Sequence, residues 1–127
     1  MLCGLQRPEQ VRQELAWSDL FALTGWNEAW GVVYNEAMAA GKPILCANDG
    51  GINDVLVNGE NALTVPPRDE AAAAGALDRL LSDPDLRSRL GAAGKELFLS
   101  QLTWDANARQ FAELFAQAVK NRTAVSS

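Results

Sequence analysis

Two carboxylates, Glu28 and Glu36, bracket the most chemically loaded stretch of the sequence, WNEAWGVVYNEAMAAGKP from Trp26 to Pro43, with seven residues between them. Gly31 lies inside the pair and begins an apolar, alanine-rich segment that predicts a helix over 31–40, stopped by Gly41 and Pro43. A backbone entering a helix at Gly31 offers unsatisfied N–H groups from about Trp30 through Val32 to Val33, together with the positive end of the helix dipole. Such a site suits phosphate or sugar oxygens. Glu36 lies one to two turns into the same helix, where its carboxylate can accept two hydrogen bonds from a vicinal diol. Glu28, just ahead of the helix, can reach groups held over the N-terminus. A nucleotide sugar supplies a diol, a diphosphate and a second ring of hydroxyls. The plain structural reading stands beside this one: glutamates near helix starts complement the dipole, and Glu36 can simply face solvent. Trp26 and Trp30 either cover a pocket or pack into the core.

These residues need a scaffold that presents a helix N-terminus, and the flanking sequence predicts one. Leu20–Leu23 is a fully apolar run of strand length ending at Thr24-Gly25, so the glutamate loop begins at the carboxyl end of a buried strand. That is where ligands bind in open parallel sheets. Pro43–Ala47 and Ala62–Val65 predict two further strands, the first followed by Asn48-Asp49-Gly50-Gly51 and the second by Pro66-Pro67. Met1–Gly4 is a short apolar run with strand character. Residues 9–17 predict a short helix, and 52–57 a brief helix or turn closed by Asn58-Gly59. Three helices follow, capped by Asp69, Asp83 and Thr103. Their apolar stripes are Ala73, Ala76, Leu77, Leu80 and Leu81; Leu86, Leu90, Ala93 and Leu97; and Trp104, Ala108, Phe111, Phe115 and Ala118. Residues 121–127 are expected to fray. Short buried strands joined through helices give an α/β fold: a Rossmann-like three-layer fragment with a short parallel sheet and a helical C-terminal part.

Composition narrows the function classes. With 127 residues and 48% hydrophobic residues the chain suits one domain. The net charge of −5 and eleven scattered Lys and Arg residues argue against nucleic-acid binding. No apolar run reaches membrane-spanning length, no positively charged start precedes an apolar core, and a cytoplasmic protein is expected. Cys3 and Cys46 lack metal-ligand spacing and read as small buried thiols; no metal site is expected. A phosphate-receiving signalling domain of this length would carry an acidic cluster after its first strand, and Met1–Gln6 holds no acidic residue.

The whole pattern resembles the donor-binding half of a retaining glycosyltransferase of the GT-B fold, of the family 4 type. The likeness is carried by Glu28-Ala29-Trp30-Gly31, by Glu36-Ala37-Met38-Ala39-Ala40-Gly41-Lys42-Pro43, by Asp49-Gly50-Gly51-Ile52, by Asn58-Gly59 through Asp69, by Asp83–Arg87 and by Thr103-Trp104. It covers about residues 1–120. The resemblance implies that Glu36 binds the ribose hydroxyls of a nucleoside-diphosphate sugar and that Glu28, as the catalytic residue, contacts the transferred sugar near its reacting carbon. It also implies that the backbone around Trp30, Gly31 and Val32 meets the sugar or diphosphate, that residues after Val65 close the base pocket, and that no metal or cofactor is needed.

Thr24-Gly25 and Ala29 depart from the family's Pro-Ser and glycine, both small changes. The larger departure is that the Arg and Lys pair which neutralises the diphosphate, and the acceptor domain, lie outside these 127 residues. A helix end contributes only about half a positive charge, so the chain alone is expected to be inactive or nearly so. The alternative is a truncated nucleotide-sugar-binding module or scaffold. The resemblance also leaves the strand at 20–23 as an exposed apolar edge, which invites a homodimer or a complementary glycosyltransferase portion.

Overall fold

A computed structural model describes residues 4–25 and 31–125, without the side chains of 123–125. The elements run α1 (Pro8–Trp17), β1 (Phe21–Leu23), α2 (Val32–Ala39), β2 (Ile44–Ala47), a 3-10 turn (Gly51–Asp54), β3 (Leu63–Val65), α3 (Glu70–Ser82), α4 (Pro84–Leu97), a π turn (Phe98–Leu102) and α5 (Trp104–Val125). The three strands form one parallel sheet in the order β1-β2-β3, with Phe21 opposite Ile44 and Leu45 opposite Leu63. The α/β expectation and the three core strands hold, each strand starting one residue later than the apolar runs indicate.

Strand β2 is buried on both faces, and its alternation divides the core. Ile44 and Cys46 join Leu15, Tyr34 and Met38 on one side; Leu45 joins Leu63, Leu80, Leu86 and Leu90 on the other. Helices therefore cover both faces, which gives the three layers. Burial raises the Cys46 thiol from its ordinary 9.0 to about 11. The folded state thus holds this proton more tightly than the unfolded one, a stabilisation complete below pH 9 and lost as pH rises toward 11. Urea unfolding of wild type and Cys46→Ala across that window should show the wild-type advantage shrinking with pH; a constant difference would contradict it.

Local chemistry sets the boundaries. Asp69 Oδ1 accepts from Ala72 N at 2.9 Å, Asp83 Oδ1 from Leu86 N at 2.9 Å, and Thr103 Oγ1 from Ala106 N at 3.2 Å, so all three caps act as the sequence indicates. Helix α2 ends in a Schellman motif. Gly41, at φ +67°, donates to Met38 O at 2.9 Å, and Lys42 N donates to Ala37 O at 3.0 Å.

Three expectations change. Gly4 is exposed at φ +64° and belongs to no strand, while Met1–Cys3 lie outside the described residues. Leu81 is on the solvent side of α3, whereas its neighbour Leu80 is fully buried. The apolar stripe of α5 is not buried: Trp104 is 90% exposed and Phe111 and Phe115 lie open beside it. Spacing identifies an amphipathic helix but not what covers its face. Helix α5 is described through Val125.

Candidate donor-binding site

Parallel pairing sends β1, β2 and β3 toward the same end, and the loops leaving that end carry the candidate chemistry. Helix α2 starts there. Its N-cap, Gly31, has φ −86° and ψ 126° and provides no side-chain cap. Tyr34 N donates to Gly31 O at 3.1 Å, so the N–H groups of Val32 and Val33 head the helix with no intrahelical acceptor. Tyr34 fixes the helix on the sheet. Its ring packs edge-on against Phe21, with centroids 5.8 Å apart, and its hydroxyl donates to Leu23 O at 3.3 Å. The helix N-terminus is thereby tied to the last residue of β1.

Glu36 follows one turn later and is half-buried. It lines a hollow of about 380 Å³ with Arg12, Leu15, Asn35, Ala39 and Phe98. Arg12 spends its guanidinium on Glu9 at 3.4 Å. The Oδ1 of Asn35 is buried with no hydrogen-bond partner. A second cleft, about 770 Å³, opens where β1 and β3 end, lined by Thr24, Val65, Pro66, Arg68, Asp69 and Ala73. Its size falls within the range of small-molecule sites. The two hollows share no described lining residue: Glu36 lines the one beside α1, and Val65, Pro66, Arg68 and Asp69 line the other. Val32 is exposed and Val33 half-buried at the β1 edge. Glu28 and Trp30, the other site candidates, lie outside the described residues.

Two features escape sequence reading. Arg68 adopts φ +61°, a left-handed backbone that non-glycine residues rarely take, and it sits at the mouth of the larger cleft. The Pro-Pro before it signals a turn but not its handedness. Lys42 donates from Nζ to Ala16 O at 3.0 Å and Ser18 O at 2.8 Å, closing the end of α1. It precedes β2 and so lies at the opposite end of the sheet from the α2 N-terminus. Among the described residues no three His, Cys, Asp or Glu side chains gather where a metal could be held, and no helix is long and apolar enough to cross a membrane.

A parallel β-α-β sheet with this helix start at its carboxyl end is the Rossmann-like half of a GT-B glycosyltransferase fold. The chain belongs to the family described as Glycosyl transferases group 1, whose profile matches residues 2–97. It is 36% identical over 131 residues to the D-inositol 3-phosphate glycosyltransferase of Xylanimonas cellulosilytica, a match covering 96% of this chain and 31% of that protein. Among solved structures, the sucrose-phosphate synthase of Thermosynechococcus elongatus superposes with a TM-score of 0.82 at 30% identity, over 95% of this chain and 30% of that one. The Anabaena protein HepE, solved with UDP-glucose, shares the fold at a TM-score of 0.74 and 24% identity, over 84% of this chain and 30% of that one. The chain thus spans about a third of the length of these relatives.

Proposed function

We propose that this chain supplies part of the donor site of a glycosyltransferase that moves a sugar from a nucleoside-diphosphate sugar to an acceptor with retention of configuration. The observation that carries the reading is the uncapped start of α2 at the carboxyl end of the sheet, with Glu36 one turn inside it. In this reading the backbone N–H groups from Trp30 to Val33 meet the diphosphate or sugar. Glu36 takes the ribose hydroxyls, and Glu28 contacts the transferred sugar close to the carbon where the bond breaks. A helix start brings about half a unit of positive charge. Neutralising the leaving diphosphate therefore needs cations from a complementary portion, seated at the open edge of β1 where Ala22 is exposed. A second copy at that edge is the other arrangement. The reaction needs no metal or other cofactor, and the enzyme acts in the cytoplasm.

A second reading, a binding module without catalysis, draws support from Lys42. It closes the end of α1 at the opposite end of the sheet from the α2 N-terminus, so it does not stand in for the basic pair that the reaction calls for. Calorimetric titration with UDP-, GDP- and ADP-sugars tests the donor site directly: saturable binding of one nucleotide class is expected. Absence of binding to all three would remove the donor-site reading for this chain. Turnover without a complementary portion would remove the need for outside cations.

A further inference from the structure

Tyr34 does more than fill the core. It is the largest fully buried side chain among the described residues, 1% exposed, and it takes a hydroxyl group inside with it. A buried hydroxyl is costly without a partner, a demand that an aliphatic side chain would not make. Here the hydroxyl donates to the carbonyl oxygen of Leu23, the last residue of β1, at 3.3 Å. The ring stands edge-on to Phe21, the first residue of the same strand, with an interplanar angle of 83°. It also meets the helix start. A Cβ placed on Gly31 would lie 3.4 and 3.5 Å from the ring atoms Cδ2 and Cε2, so the ring lies against the N-cap. One rigid side chain therefore touches both ends of β1 and the residue that begins α2.

Those contacts set a spacing that the chain itself leaves open. Strand β1 has three residues and pairs only with β2 among the described strands. Seven residues separate Leu23 from Gly31, and α2 is eight residues long with no side-chain cap. The N–H groups of Val32 and Val33 serve an anion best when their direction is fixed before it arrives, because donors set in advance cost no reorganisation on binding.

We propose that Tyr34 is the positioning residue for the donor's diphosphate. By holding the start of α2 to the end of β1, it aims the Val32 and Val33 N–H groups at the phosphate oxygens. It acts through those two amides and does not touch the ligand. The role rests on the donor-site reading and adds to it the side chain that makes the helix start rigid. Tyr34→Phe keeps the ring against Phe21 and Gly31 and removes the hydroxyl, so the core stays filled while the tie to Leu23 is lost.

Amide NMR titration of the 127-residue chain and of Tyr34→Phe with UDP, GDP and ADP tests this role. For the diphosphate that binds, the variant should show about tenfold weaker affinity, close to what one hydrogen bond to a charged group contributes. At saturation its Val32 and Val33 amide shift changes should shrink, while those at Glu36 keep their wild-type size. Phe21→Leu, which removes the ring contact and keeps the hydroxyl, should act in the same direction. Unchanged affinity in Tyr34→Phe would overturn the positioning role and leave the donor site standing. So would a loss in which every responding amide keeps its wild-type shift pattern at saturation, since that marks a general loosening of the fold. Failure of the wild-type chain to bind any of the three diphosphates would remove the donor site, and this role with it.

Discussion

Replacing Glu36 by alanine is expected to weaken nucleotide-sugar binding about ten- to a hundredfold, since a hydrogen bond to a charged group contributes roughly 1.5–3 kcal/mol. The effect should fall on affinity and leave the fold intact. The Glu36 side chain makes no hydrogen bond or ion pair among the described residues, and alanine is the better helix former. Thermal stability should therefore change by less than about 0.5 kcal/mol. Glu36→Gln separates charge from geometry: it keeps one acceptor oxygen and should bind between wild type and alanine. Equal affinity of all three for whichever nucleotide sugar binds would remove Glu36 from the site. That result would leave the helix start at Gly31 as the remaining ligand-facing element.

Gly91→Ala is the second large effect, and it acts on the fold. A Cβ at Gly91 would lie 2.2 Å from the carbonyl oxygen of Gly41 and 3.1 Å from its carbonyl carbon. Neither can move easily, because Gly41 is held in the left-handed turn that ends α2 and leads into β2. Helix α4 would have to lift from the sheet. Overpacking of this kind costs about 3 kcal/mol, which for a chain of this size lowers Tm by roughly 10 °C. Two neighbouring substitutions calibrate the claim. A Cβ at Gly94 would meet Met38 and the Asn61 carbonyl only at 3.5 and 3.6 Å, so Gly94→Ala should be nearly neutral. Gly75, inside α3, has nothing within 4 Å, and Gly75→Ala should stabilise by about 0.5–1 kcal/mol through helix propensity. A scanning calorimetry series that ranks Gly91→Ala with the other two would contradict the close approach of α4.

The scaffold was legible because its signals are local. Apolar runs of four or five residues between glycines and prolines marked the strands, and Asp69, Asp83 and Thr103 marked helix starts through a side-chain oxygen that the structure finds in place. Gly31 marked the start of α2 by a different local signal, a glycine ahead of an apolar, alanine-rich segment. What stayed illegible depends on distant contacts. The stripe from Trp104 to Ala118 has the spacing of a buried face, yet burial requires an opposing surface that spacing does not supply. Leu81 and Leu80 differ only in which way the helix turns them. The hollow at Glu36 is made with Arg12 and Leu15 of α1, a neighbour that no single segment encodes. The anchoring of Lys42 is hidden in its Gly-Lys-Pro context, because its acceptors at Ala16 and Ser18 lie far back in the chain.

The order of the sheet has a kinetic consequence. Each strand pairs with the strand next to it in sequence, and the partners Phe21–Ile44 and Leu45–Leu63 are 23 and 18 residues apart. Loop closure over such spans is inexpensive in entropy, and no strand must wait for a later segment to be inserted between two earlier ones. Helix α2 can dock on β1 through Tyr34 before β3 exists, and β3 then adds to an edge already formed. A chain emerging from the ribosome could build this sheet one strand at a time, in the order in which its residues are made.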